Sequence, residues 1–424
     1  MIKRIIKRKR IIYLVLLVMM GVVLLTLTII TTKLLKEYPP IATFYSPEFS
    51  VRQTDDGMYF VKNYNYVYYV DMASGLQAPL CRKTNCLHND SMCDAFVEGT
   101  LPPGLMVYGD KLYITALTND LVYDESDSSF SEMGYCRVYE SDLDGGNRKI
   151  IYESGVGGIQ SMLASGDKLY ISSTGLKGKV KENGTVDSDA YLYVYDLRWG
   201  KIKELRILEG SQEKNKPYIR LISNTGDRVL FSESYMMSDG NYTCDLYEII
   251  DGYSIEKTSA ESINEYKYPL FVENNKEYYY IEISHDGTES LLLMDSSFQV
   301  RKKIVSVNYP ESTLRLIDGG YIIIFNTDYK KCLYDYKQKK LYVAKTCFHE
   351  NGKYVSDIIC IDQGNDTIYI DKHDYTGMKE NEIYYEDISN YGLEKLTSFL
   401  QDYYYDYDEL TDNEKGAIDW VDVY

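Results

Sequence analysis

The sequence predicts an all-β protein, a β-propeller of seven four-stranded blades preceded by one N-terminal transmembrane helix. Three observations carry that expectation: a composition that favours strands, a turn-and-strand motif that returns about every 52 residues, and an uncharged stretch near the N-terminus. The chain has 424 residues, among them 45 Tyr against 11 Phe and 2 Trp, and 45% of it is hydrophobic. Tyr, Val and Ile suit the half-buried, pleated surface of a strand, and that apolar content excludes a disordered chain. Lys plus Arg number 46 against 64 Asp plus Glu, a net charge of -18. So acidic a chain lacks the basic face that phosphates require, which argues against nucleic acid as a partner.

The charge is unevenly spread, and its first part frames the membrane segment. Residues 1–40 carry Lys3, Arg4, Lys7, Arg8, Lys9, Arg10, Lys33 and Lys36 against Glu37 alone, a net +7, which leaves -25 on residues 41–424. Between these basic flanks, Ile11 to Thr32 holds no charged residue. As a helix the stretch rises about 33 Å, enough for a hydrocarbon core of about 30 Å. A cleaved signal peptide has a shorter apolar region and a small-x-small cleavage site, and Thr31-Thr32-Lys33-Leu34-Leu35-Lys36 offers none. No Cys precedes Cys81, so a lipid-modified N-terminal cysteine is excluded. The expected organisation is a cytoplasmic basic segment at 1–10, a signal anchor at 11–32, a linker at 33–43, an extracellular propeller at 44–400 and an acidic, Tyr-rich tail at 401–424. The protein is expected in the cell membrane, single-pass, with its N-terminus cytoplasmic and its C-terminus outside.

The exterior repeats itself. A short turn, often Gly-Asp, precedes a Leu/Ile-Tyr-Ile-like strand at Asp55–Phe60, Gly109–Ile114, Gly166–Ile171 and Gly226–Phe231, with weaker copies at Lys276–Ile281, Gly319–Phe325 and Asn365–Ile370. Taking Tyr59, Tyr113, Tyr170, Leu230, Tyr280, Ile323 and Tyr369 as equivalent centres gives spacings of 54, 57, 60, 50, 43 and 46 residues. Propeller blades have periods of about 40–50. An apolar segment precedes each turn, such as Ile159–Ala164, and two more strands follow, as in Tyr191–Asp196 and Lys201–Leu205 around Arg198-Trp199-Gly200. Four strands in each of seven units is the radial answer to open sheet edges. The Tyr content fits it, because blades splay toward the rim, large flat rings fill the gap, and each hydroxyl reaches water or backbone at the edge. Two β-sandwiches also have short strands and frequent turns, but do not require the same turn seven times.

The Asp142–Lys149 turn, Asp-Leu-Asp-Gly-Gly-Asn-Arg-Lys, resembles the hairpin of TolB-like and YWTD-type propellers, and the Gly-Asp-x-Leu-Tyr-Ile repeats fit that superfamily. An anchor followed by a Tyr-rich propeller resembles membrane-anchored surface proteins of Gram-positive bacteria. The resemblance runs from about residue 41 to 400 and implies a fold and a location. Its motifs are structural and bring no catalytic residue.

One local cluster carries chemistry. Cys81, Cys86, His88 and Cys93 read C-x4-C-x-H-x4-C, which gathers three of eight Cys and one of four His into thirteen residues. By the repeat register the segment is a face loop between the outermost strand of blade one and the innermost of blade two. Three thiolates and an imidazole complete a tetrahedral zinc site, and such closed sites are structural. Disulfide bonding competes, since an extracellular location permits it, and it needs a fourth thiol such as Cys136. Cys347 and Cys360, which bracket a blade junction, are a second candidate pair, and simple reduced thiols are the third reading.

Other signals are weaker. Asp142-x-Asp144-Gly145 reads as a turn, because the remaining calcium-loop ligands are missing. The tail from Asp402 to Tyr424, with eight acids and one Lys, reads as a solvated, partly helical or disordered end, with a docking segment as the alternative. His285, His349 and His373 stand apart from one another, and no H-E-x-x-H, G-x-S-x-G or Walker loop is present. Together these readings favour a non-catalytic binding or scaffold module, a membrane-tethered propeller for a protein, peptide or glycan, with one structural zinc and no other cofactor. The alternative is a cell-envelope glycan hydrolase or lyase with its site at the channel mouth. An envelope assembly factor, by analogy with TolB alone, is a third reading.

Overall fold

The computed structural model describes residues 18–33 apart from 24 and 29, residues 36 and 43–45, and most of 51–423. Within that last span the longer stretches outside the description are 125–128, 178–186, 238–241, 259–262, 266–270, 284–287, 308–312, 326–330, 346–356, 372–390 and 417–420. The described strands form seven antiparallel sheets, taken up in chain order. The first holds Val51–Gln53, Gly57–Lys62, Tyr66–Asp71 and Gln77–Pro79. The second holds Leu105–Tyr108, Lys111–Asp124, Ser129–Asp142 and Lys149–Ser154, and the third Gly157–Ser165, Lys168–Lys177, Asp187–Asp196 and Lys201–Leu208. The fourth is Lys214–Thr225, Arg228–Met237, Tyr242–Ile250 and Ser254–Lys257; the fifth is Phe271–Asn274, Glu277–Ile283, Glu289–Met294 and Val300–Val307. The sixth is Thr313–Ile317, Tyr321–Phe325, Lys331–Asp335 and Lys340–Ala344, and the seventh has three strands, Asp357–Asp362, Thr367–Asp371 and Tyr391–Lys395.

The repeated Gly-Asp-Lys motif has a local cause. Gly109 and Gly166 sit at φ 61 and 54, the left-handed region that glycine enters without cost, and turn the first strand back into the second. The Lys that follows then lies opposite the Asp ending the third strand: Lys111 faces Asp142 and Lys168 faces Asp196. Both pairs are ion pairs, the second at 3.0 Å. The same Asp caps the next turn. Asp196 Oδ1 accepts the Arg198 and Trp199 N–H groups at 2.9 and 3.0 Å, and Asp335 Oδ1 accepts those of Lys337 and Gln338 at 2.9 and 2.8 Å. One end of the second, third and sixth sheets is thereby tied by residues that recur in the repeat. We call that end the turn face, and the opposite end, where second and third strands join, the hairpin face.

Packing makes the sheets blades. Each hydrophobic cluster draws on two successive sheets: Leu105, Leu112 and Ile114 meet Tyr59, Val61 and Val67 of the first, while Met106, Tyr113 and Val138 meet Ile159, Met162 and Ile171 of the third. Leu163, Tyr170 and Leu192 then meet Ile219, Val229 and Phe231 of the fourth, which meets the fifth through Leu230, Leu246, Tyr278 and Leu292. Leu112, Tyr113 and Ile114 thus alternate between two interfaces, so both faces of the sheet are buried. A sandwich sheet buries one face, and that architecture is excluded. The innermost strand of the first sheet also lies against that of the seventh. The Tyr hydroxyls act as expected: Tyr59 donates to the Leu143 carbonyl at 2.9 Å and Tyr279 to the Tyr336 carbonyl at 3.2 Å, each reaching the turn of the next sheet. The equivalent centre of the fifth unit is therefore Tyr279, third in its strand and 1% exposed, where the sequence suggested Tyr280. The run Tyr278-Tyr279-Tyr280 offers no landmark for a register in which one residue reverses the face.

Strands from outside the repeat complete the edges. Thr43–Tyr45 pairs with Gly157–Ser165 on the inner edge of the third sheet. After the seventh sheet the chain forms a helix, Leu396–Tyr403 (α1), then adds Tyr404–Asp406 to the outer edge of the sixth sheet and Val421–Val423 to that of the fifth. The tail, expected to be solvated and partly helical, is largely exposed and has a helix at Asp412–Gly416, and it adds two short strands to the rim that its sequence did not suggest. Its phenols alternate between Tyr404, 3% exposed, and Tyr405, 45% exposed, which is the strand period, and Asp406, on the side of Tyr404, pairs with Lys340 at 2.8 Å. Helical residues between 18 and 33 carry exposed apolar side chains, including Val18, Met19, Val22 and Leu25. Among the described residues no helix is long and apolar enough to cross a membrane, and residues 11–17 of the expected anchor lie outside the described residues.

Candidate metal centre

The Cys segment is an excursion from the middle of one strand, not a loop between blades. Leu80 N–H donates to the Val67 carbonyl at 2.9 Å, continuing the outermost strand of the first sheet, and the chain leaves at Cys81. It returns to the same neighbour: Val67 N–H donates to the Ala95 carbonyl at 2.9 Å, Phe96 bridges Tyr66, and Val97 N–H donates to the Asn65 carbonyl at 2.8 Å. The outer strand therefore has two halves, and Cys81 and Cys93 stand at the break. Asn85 at φ 65 and His88 at φ 54 supply the reversals that bring Cys86 and His88 back over it. Asn and His are among the non-glycine residues that enter this region most often.

The four side chains named by the sequence converge. One ligand atom from each of Cys81, Cys86, His88 and Cys93 lies within 4.8 Å of all the others, and His88 Nδ1 is 3.3 Å from Cys93 Sγ. A tetrahedral zinc with Zn–S of about 2.3 Å and Zn–N of about 2.0–2.1 Å sets S···S near 3.8 Å and N···S near 3.5 Å. The donors fit such an ion. Backbone amides already point at the sulfurs, those of Lys83 and Asp94 at Cys81 and that of Ala95 at Cys93. Burial works against the Cys81 thiolate, but those amides and the neighbouring thiols outweigh it and hold its pKa below the ordinary thiol value. Burial pushes Cys93 up to about 11, and the adjacent Cys81 and Cys86 sulfurs add to the rise. Cys81 thus ionises more readily than an ordinary thiol and Cys93 resists, a conflict that a divalent cation relieves.

The second sheet supports the excursion from below. Arg148 donates from Nη1 to the Phe96 carbonyl at 2.7 Å and from Nη2 to the Asp94 carbonyl at 2.5 Å, clamping the returning half. Lys83 pairs with Asp94 at 2.9 Å, and Arg82 with Asp144 at 3.6 Å. The Asp142–Lys149 segment is a hairpin turn, as its sequence suggests: Gly145 N–H donates to Asp142 at 3.0 Å, and Asn147 Nδ2 donates to the Asp142 carboxylate at 2.6 Å. A Cβ on Gly145, at φ 84, would lie 2.5 Å from the Leu80 carbonyl oxygen, so close approach to the Cys segment demands glycine there.

Cys136 is not the missing disulfide partner. It is fully buried between the second and third sheets, among Val138, Ile159 and Met162, and burial pushes its thiol up to about 12. Cys244 and Cys332 are likewise buried. The proposed Cys347–Cys360 pair and His285, His349 and His373 fall on side chains outside the described residues. Among the described residues the Cys3His set is the one group of three or more metal-type donors. Buried carboxylates serve structure: Asp189 accepts from Gly210 N–H at 3.0 Å, and Glu233, which sequence inspection missed, pairs with Arg206 across the third and fourth sheets at 2.8 Å. Those partners are 27 residues apart on different blades, a contact with no sequence signal.

Fold and site together define a β-propeller that carries a Cys3His donor set on the outer strand of its first sheet. No protein-family model matches the chain, and no curated protein matches it. Similar solved structures include the oligogalacturonate lyase of Vibrio parahaemolyticus, at 9% identity over 66% of this chain and 74% of that one, with a TM-score of 0.39. A further oligogalacturonate lyase, in complex with manganese, is 10% identical over 78% and 87% with a TM-score of 0.39. Trypanosoma rangeli sialidase in complex with the inhibitor DANA is 11% identical over 62% and 56% with a TM-score of 0.36.

Proposed function

We propose that the chain is a membrane-tethered, seven-bladed extracellular propeller whose Cys3His set holds one structural zinc and whose hairpin face receives an extended ligand. The observation that carries the ligand reading is an asymmetry of strand length. The second, third and fourth sheets have second and third strands of 9–14 residues, while those of the first, sixth and seventh have 5–6. Because registers start from the turn face, the surplus projects from the hairpin face as a wall along one side. A wall beside an open rim suits a chain-like ligand, a glycan or a peptide, better than a compact molecule.

The zinc reading assigns a closed, four-ligand site to the joining of two half-strands and gives the metal no part in turnover. A second reading, a cell-envelope glycan hydrolase or lyase, takes its substrate class from the names of the similar lyase and sialidase structures. The test uses the full chain in nanodiscs with neutral and anionic polysaccharides, measuring binding by calorimetry and products by reducing-end and unsaturated-product assays. Binding without product supports the module, product formation supports the enzyme, and the absence of both removes the glycan from either reading. Elemental analysis of the same sample should give one zinc per chain, and its loss in Cys93→Ser ties it to this set.

A further inference from the structure

The end of the N-terminal helix is not a free linker but is clamped to the turn face. Arg198 Nη1 donates to the Lys33 carbonyl at 3.0 Å, Lys33 Nζ lies 5.2 Å above the Trp199 ring, and Lys36 pairs with Asp110 at 3.3 Å. Arg198 is itself fixed, its Nε held by Asp167 at 2.8 Å, and Lys168 bridges Asp167 and Asp196 at 3.0 Å each. The clamp therefore uses turns of two adjacent blades, which sets a direction as well as an attachment.

What surrounds the clamp is unusual for a hairpin tip. Trp199 is 43% exposed at the end of its turn, Ile202 is equally exposed on the following strand, and Tyr253 on the neighbouring turn is 41% exposed with Lys203 5.1 Å above its ring. Exposed Trp and Tyr flanked by Lys, beside the end of an apolar helix, is the composition of a membrane–water interface. We propose that the turn face rests on the outer headgroup layer of the bilayer, with Trp199 and Tyr253 as interfacial anchors, so that the hairpin face points away from the membrane. The inference rests on the reading of residues 11–32 as a membrane anchor. The occupant is the bilayer because the exposed apolar helix and the aromatic patch meet at Lys33, and one lipid surface covers both.

The chain contains two Trp, so Trp420→Phe leaves Trp199 as the sole reporter. The full-length variant is reconstituted into phosphatidylcholine vesicles, plain or brominated near the acyl carbonyl, and its emission and flotation are both measured. The expected result is loss of at least about half the emission in brominated vesicles, with shielding from iodide. The converse variant Trp199→Phe should show no such loss, and Arg198→Ala with Asp110→Ala should float with vesicles while losing the quenching. Equal emission in plain and brominated vesicles, with flotation intact, overturns this inference and leaves the anchor standing. Failure to float overturns the anchor reading and this inference with it.

Discussion

If the Cys3His set holds zinc as proposed, removing the metal should weaken the outer strand of the first sheet in a way the geometry quantifies. The Cys81 and Cys93 ligands close a loop of thirteen residues, and cross-linking a loop of that size removes about 3 kcal/mol of conformational freedom from the unfolded chain. A propeller of roughly 360 residues loses about 0.75 kcal/mol per degree near its melting point, from about 2.1 cal/mol/K per residue. Cys93→Ser, or chelation by phenanthroline, should therefore lower Tm by about 4 °C. The loss should also be local. Val67 and Val97 amides are bonded across the break, to Ala95 and Asn65, and they should exchange with deuterium faster. Cys136→Ser is the control, destabilising through a different interface with metal content unchanged. An unchanged Tm together with unchanged exchange at Val67 and Val97 in metal-free protein would refute the reasoning.

Three other outcomes follow from the same geometry. Gly145→Ala should cost more than about 2 kcal/mol, since a left-handed φ and a contact with the Leu80 carbonyl are both violated; melting and zinc content in one sample check it. Tyr59→Phe and Tyr279→Phe should each cost about 1 kcal/mol, because each removes one hydroxyl bond to the next turn, and urea midpoints would show it. Burial works against the Asp167 carboxylate, but Lys168 and Arg198 outweigh it and hold its pKa below the ordinary 3.8. Its contribution is therefore present above pH 3.8 and lost as pH falls through the lowered value. Wild type should lose stability relative to Asp167→Asn as pH falls below 3.8, read from urea midpoints at each pH.

What could be read in advance was what short-range chemistry dictates. Gly109-Asp110-Lys111 and Gly166-Asp167-Lys168 announce their hairpins because glycine makes the turn and the lysine meets an Asp one strand away. Cys81, Cys86, His88 and Cys93 are legible because all four ligands lie within one thirteen-residue excursion. The excursion's return was not, because the Ala95–Val97 half pairs with residues about thirty positions earlier and carries no turn signal of its own. Tyr404–Asp406 was read as solvated tail for the same reason: its partner strand, Lys340–Ala344, lies some sixty residues back and its acids mask the alternation. Arg198 and Trp199 looked like an ordinary hairpin tip until Lys33 lay against them.

The strands that run back around the rim bear on how the outer sheet edges are kept from pairing with other chains. Tyr404–Asp406 and Val421–Val423 are made after every blade, and they cover the outer edges of the sixth and fifth sheets. A chain halted before them would carry its blades yet leave two rows of unpaired backbone groups open. Incomplete synthesis, or clipping between the two strands, is thereby converted into a sticky sheet edge that proteases and neighbouring copies can detect. The rim strands act as a seal on edges that the blades themselves leave open, supplied by segments that follow the blades in the chain.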